Sequence, residues 1–141
     1  MSALRATYTS TLTVATTTGS LMQFTGPTNQ KTWVQFEVFC KDTAGGSMVD
    51  IQVRKTGTDD GTKVALTAVK NNPQDTETVQ GTMNRFTATA TDDGSIIFRA
   101  TIRSDRSVQF PSILVNGGEK VSLFATTTAS VALQFSARIE Q

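Results

Sequence analysis

Apolar and polar residues alternate along most of this chain with a period of two, the pattern of strands that bury one face. The clearest run is the last, where Val131, Leu133, Phe135, Ala137 and Ile139 alternate with Ala132, Gln134, Ser136, Arg138 and Glu140. Val121, Leu123 and Ala125 precede it, opposite Ser122, Phe124 and Thr126, and Thr127-Thr128-Ala129-Ser130 between the runs suits an antiparallel hairpin. Ile96, Phe98, Ala100 and Ile102 predict a core row against Ile97, Arg99, Thr101 and Arg103. Phe86, Ala88 and Ala90 come before, across Asp92-Asp93-Gly94, a strong hairpin signal because glycine tolerates the positive φ of such turns.

The first half follows the same rule. Val34, Phe36, Val38 and Cys40 form one row, with Trp33, Gln35, Glu37 and Phe39 on the other face. Val49, Ile51 and Val53 follow the Ala44-Gly45-Gly46-Ser47 turn, and Val64, Leu66 and Ala68 predict a strand after Asp59-Asp60-Gly61. From Arg5 to Val14, Thr7, Thr9, Thr11 and Thr13 alternate with Ala6, Tyr8, Ser10, Leu12 and Val14, and a short run from Leu21 to Thr25 ends at Gly26-Pro27. Asn116-Gly117-Gly118 is a further turn, whereas Asp75 to Met83 fits either a helical turn or a long loop. Eight to ten strands at this spacing imply a sandwich or barrel, with no linker and no internal repeat.

Composition agrees with that picture and removes several functions. Threonine, β-branched with a hydroxyl that suits a wet strand face, is used heavily. Thirteen basic against 12 acidic residues leave a formal charge of +1, so direct binding of nucleic acid is not expected. Met1 to Thr13 alternates where a secretion signal would be continuously apolar, and no run approaches the ~20 apolar residues of a membrane helix. A lone Cys40 predicts folding in a reducing cytoplasm without disulfides. Histidine is absent, which removes the commonest general base, metal ligand and activator of serine or cysteine nucleophiles. A non-enzyme without cofactor, metal or catalytic residue is the resulting expectation.

The remaining chemical candidates are weak. The Asp-Asp-Gly triplets at 59–61 and 92–94 carry clustered carboxylates, but the other oxygen ligands of a calcium loop are missing, and hairpin turns explain them better. Cys40 is in phase with the core row. Glu37, Asp50 and Glu77 have nothing to bring two of them into one cleft, as glycoside chemistry requires. Neither Gly45-Gly46 nor Gly117-Gly118 has the context of a phosphate loop. Arg85, Arg99, Arg103 and Arg106 gather around one predicted hairpin, without the interleaved aromatics of a nucleic-acid surface, and read as a solvated strand face.

Large apolar residues out of phase with the core say more. Trp33 and Phe39 share the polar face of one strand, and Ile97 and Phe124 do so on theirs. Contiguous exposed apolar groups often mark subunit contacts, the alternative being that both faces of that sheet are covered within the monomer. Ser2 to Tyr8 is an end segment able to add to another sheet edge. Its Arg5 and Tyr8 join Trp33, Phe39, Ile97 and Phe124 as the candidate subunit or capsid interface.

The final third runs from Val108-Gln109-Phe110-Pro111 through Val115-Asn116-Gly117-Gly118-Glu119-Lys120-Val121-Ser122-Leu123 to Phe135-Ser136-Ala137. It resembles phage-encoded jelly-roll capsid decoration, or cement, proteins, which open on a Thr-rich alternating strand and end on a Gly-Glu turn and two strands. The same last strands are similar to the trimeric C1q/tumour-necrosis-factor-like jelly roll. These resemblances imply an all-β antiparallel β-sandwich of jelly-roll type, one domain over 1–141, with 1–8 as an extended arm or edge strand. They further imply a homotrimer, made in the host cytoplasm, that binds the major capsid protein on the virion surface and stabilises the capsid. A receptor- or carbohydrate-binding head of a phage fibre is the alternative, and it requires a cleft with exposed aromatics and hydrogen-bonding groups.

Overall fold

Strand follows strand in the computed structural model, which describes residues 4–14, 19–41, 48–55, 62–90, 94–103, 105–127 and 131–141. The strands are β1 (Arg5–Val14), β2 (Gly19–Thr25), β3 (Thr32–Cys40), β4 (Met48–Lys55), β5 (Lys63–Ala65), β6 (Val69–Lys70), β7 (Thr82–Ala90), β8 (Ser95–Arg103), β9 (Ser107–Gln109), β10 (Ile113–Val115), β11 (Lys120–Thr127) and β12 (Val131–Glu140). Two antiparallel sheets form a β-sandwich. One, sheet A, has the order β10-β3-β12-β1-β6 with β9 also on β3; the other, sheet B, has the order β5-β7-β2-β11-β4-β8.

The period-two rows become the core. Val34, Phe36, Val38 and Cys40 of β3, and Val131, Leu133, Phe135, Ala137 and Ile139 of β12, face Val49, Ile51 and Val53 of β4 and Val121, Leu123 and Ala125 of β11 in one cluster. Each large member contributes about 1.5–3 kcal/mol by leaving water, and no other driving force here is of that size. Cys40 is buried, and its Sγ lies 3.6 Å from the Lys41 carbonyl oxygen.

Connectivity departs from the local signals. Among the described residues no strand pairs with its neighbour in sequence. The β11–β12 hairpin expected around Thr127-Thr128-Ala129-Ser130 is not formed: β11 lies between β2 and β4 in sheet B, and β12 between β3 and β1 in sheet A. Both strands have one apolar face, so each is stabilised more by facing the other across the core than by pairing beside it. The hairpin expected around Asp92-Asp93-Gly94 fails too, since β7 pairs with β2 and β5 while β8 pairs with β4. Residues 91–93, 128–130, Ala44-Gly45-Gly46-Ser47 and Asp59-Asp60-Gly61 fall outside the described residues.

Two smaller expectations also change, and one left open is decided. Of the predicted Val64–Ala68 strand only Val64 and Ala65 are extended, in β5; Val64 faces solvent, while Leu66 and Ala68 pack against the core from the loop beyond. Asp75 to Gly81 is a loop without helix, and Met83 already belongs to β7 and the core. In β8 the register steps from Val53–Phe98 to Arg54–Ile96, leaving Ile97 as the extra residue of a bulge. That bulge turns Ile96 out of the predicted core row, and it is 47% exposed.

Two of the crossovers between sheets meet at close range. The link from β2 to β3 and the link from β10 to β11 are joined by Gly26 N–H to Glu119 O (2.8 Å) and Gly118 N–H to Gly26 O (3.0 Å). A methyl group at Gly26 would sit 2.5 Å from the Asn116 carbonyl oxygen, and one at Gly117 would sit 2.6 Å from that of Thr28. These glycines are there for backbone-to-backbone approach. Beside them Lys55 Nζ reaches Glu119 Oε2 at 2.6 Å and donates to the Leu114 carbonyl at 3.3 Å, while Asn116 Nδ2 donates to Glu119 Oε1 at 2.9 Å. The bonds from Lys55 and Asn116 hold the Glu119 carboxyl below its ordinary 4.5.

Gly26→Ala and Gly117→Ala should each lower the unfolding free energy by about 1–3 kcal/mol in urea titrations. The double variant should cost less than the two singles together, because the first methyl already separates the crossovers. Full additivity would show that the loops do not act as one contact. The depressed Glu119 value stabilises the fold above pH 4.5, and that stabilisation is lost as the pH falls below it. The gap in melting temperature between wild type and Glu119→Gln should therefore shrink between pH 7 and pH 3; a constant gap would contradict it.

Candidate binding face

Strand pairing sets the outward side of sheet A as four rungs. From the register of β1, β12 and β3 these are Arg5–Glu140–Trp33, Thr7–Arg138–Gln35, Thr9–Ser136–Glu37 and Thr11–Gln134–Phe39. Beyond β3 the rungs are extended by Leu114 beside Trp33, Gln109 beside Glu37 and Ser107 beside Phe39. On β3 and β12 each of these residues follows a buried one, so the polar face there follows from the apolar face behind it.

The face is recessed in two places. Arg5, Trp33, Gln35, Asn71, Ser112, Arg138, Ile139 and Glu140 line a cleft of about 240 Å³. A larger depression of about 690 Å³ lies at the other end, against Thr9, Thr11, Glu37, Phe39, Gln134 and Ser136, with Leu66 and Arg85 among its walls. Trp33 is 48% exposed and Phe39 half-buried. Arg5 Nε donates to Glu140 Oε2 at 3.1 Å, and Thr7 Oγ1 donates to Asn71 Oδ1 at 3.4 Å. Gln35, Glu37, Gln134, Ser136 and Arg138 make no side-chain hydrogen bond among the described residues.

The outer side of sheet B is built differently. Phe124 is only 3% exposed, with the Arg54 guanidinium carbon 3.7 Å from its ring centroid. Arg54 donates through Nε (3.0 Å) and Nη2 (2.8 Å) to Gln52 Oε1, and Gln52 Nε2 donates to Asp50 Oδ2 at 3.2 Å. Arg99 closes the row, its Nη2 donating to Asp50 Oδ2 at 2.7 Å and its Nε reaching both carboxylate oxygens. The hydrogen bonds to Asp50 raise the Arg99 pKa further above its ordinary value. Gln23 Nε2 donates to Ser122 Oγ at 3.1 Å on neighbouring strands, both residues buried.

The six candidate interface residues therefore separate. Arg5, Trp33 and Phe39 share the outward face of sheet A. Tyr8 points the other way, into the core at 3% exposed, and burial raises its phenol pKa. Phe124 is covered within the chain by Arg54, so its out-of-phase position reflects a second covered face. Ile97, 37% exposed, lies on β8 at the margin of sheet B. The segment proposed as an arm is already paired from Arg5 to Tyr8 along β12, and Leu4 exchanges backbone bonds with Gln141 (3.0 and 2.9 Å).

The arginines do not form one cluster: Arg85 is on β7, four places from β8 in the sheet order, and Arg99 is committed to Asp50. Among the described residues no group of three or more Cys, Asp or Glu is arranged to hold a metal ion. Compared with models of protein families and with curated protein sequences, the chain matches none. Sequence reading identified Arg5, Trp33 and Phe39 but missed the other members of their rungs on β1 and β12, which appeared only as unremarkable polar alternation. The pairing of the first strand with the last creates the face, and no local motif signals it.

Proposed function

We propose that this chain is a virion structural protein: a jelly-roll-type sandwich that associates as a homotrimer, binds the major capsid protein on the outside of an icosahedral phage capsid and stabilises the lattice. The observation that carries this reading is the margin formed by β8. It is a nine-residue strand paired only with β4 among the described residues, and its bulge presents Ile96 and Ile97 to solvent. A long edge with exposed apolar residues is a template for another chain, and proteins that remain single usually block such edges. The resemblance of the final third to decoration proteins supports the same reading.

In a closed three-fold ring the contact is heterologous, each protomer offering its β8 margin to a different patch on the next. Three copies then engage several capsid subunits at once, and weak individual contacts multiply into firm attachment without any catalytic group. Light scattering should give three times the 15.1 kDa mass of one chain. An Ile96→Lys/Ile97→Lys variant should run as a folded monomer by circular dichroism and pellet with purified capsids at least tenfold less. A strictly monomeric wild type would overturn the trimer, and a variant that stays trimeric would remove the β8 margin as the contact.

A further inference from the structure

We infer that the outward face of sheet A binds a neutral oligosaccharide laid along β3. The row Trp33, Gln35, Glu37, Phe39 spans seven residues, six steps and about 20 Å of extended strand. An aromatic ring stands at each end, and amide and carboxylate groups lie between them. Each ring borders its own recess, the cleft at Trp33 and the larger depression at Phe39. The span matches several sugar rings in line, not one.

The chemistry of the rungs selects the ligand class. A pyranose ring has a face of C–H groups that packs on an aromatic ring and a rim of hydroxyls that both donate and accept. Trp33 and Phe39 supply the apolar platforms. Gln35, Glu37, Gln134, Ser136 and Arg138 supply both donors and acceptors that no side-chain bond among the described residues uses.

Other occupants fit less well. A nucleic acid would bring phosphates against Glu37 and Glu140, and Arg5 is already paired to Glu140 at 3.1 Å. A protein hot spot needs an apolar centre, whereas the two central rungs here are threonine, arginine, glutamine, serine and glutamate. The inference does not rest on the capsid reading, because its surface is on the opposite sheet from β8.

Trp33 is the one tryptophan in the chain, so its fluorescence reports directly on this face. The full-length protein is screened on an array of neutral oligosaccharides, and gluco- and galacto-oligosaccharides of one to six units are titrated against Trp33 emission. The expected result is a saturable emission change, with affinity rising with chain length and levelling once the ligand spans both aromatics. Trp33→Ala, followed on the array, and Phe39→Ala should each weaken binding at least tenfold, Glu37→Gln less, and Ile96→Lys/Ile97→Lys not at all. No array binding, or binding unchanged in both aromatic variants, would overturn the inference. Loss of capsid pelleting by Trp33→Ala in a protein that remains trimeric would also overturn it, by making this face the capsid contact.

Discussion

The meeting of the two glycine-bearing crossovers is the constraint from which the rest of the architecture follows. Every sandwich must pass its chain from one sheet to the other, and each passage leaves backbone groups that need partners. Here two passages satisfy one another: Gly26 and Gly118 exchange bonds with the opposing loop, and the missing side chains at Gly26 and Gly117 let the carbonyls of Asn116 and Thr28 approach. That contact fixes where β2 and β11 enter sheet B and where β3 and β10 enter sheet A. Lys55 and Glu119 then tie the end of β4 to the same point. Register in sheet A depends on it, since β3 is the strand on which β9, β10 and β12 all pair.

Because pairing is non-local throughout, rows were legible in the sequence and neighbours were not. Alternation placed Val34, Phe36, Val38, Cys40 and the odd-numbered residues of β12 correctly, because side-chain direction in a strand depends only on period. The turn at Asn116-Gly117-Gly118 was correct as a turn, yet it joins two sheets where a hairpin would join two strands. A turn signal reports that the chain reverses, and a hairpin and a crossover require the same reversal. Ile96 was misplaced because a bulge shifts phase without leaving a proline or glycine to announce it. Phe124 was misread because alternation assigns it outward, and only the fold puts Arg54 over its ring.

The β8 margin and the outward face of sheet A have different chemistry. The β8 margin is a strand edge with isoleucines, suited to contact with protein. The outward face of sheet A is a wet ladder of hydroxyls, amides and balanced charges between two aromatics. Their placement on different sheets allows one surface to serve assembly while the other stays free for a ligand. Neither needs histidine, metal or an activated thiol, and the sequence contains no histidine. What the chain supplies is a rigid core that holds two patterned surfaces in fixed relation.

Electron microscopy of purified, undecorated phage capsids incubated with the purified protein tests the proposed capsid role most directly. The account predicts extra density on the outer capsid surface, three-fold in shape and seated at local three-fold positions, into which three copies of the sandwich fit. Capsids that remain bare at saturating concentrations of trimeric protein would contradict it.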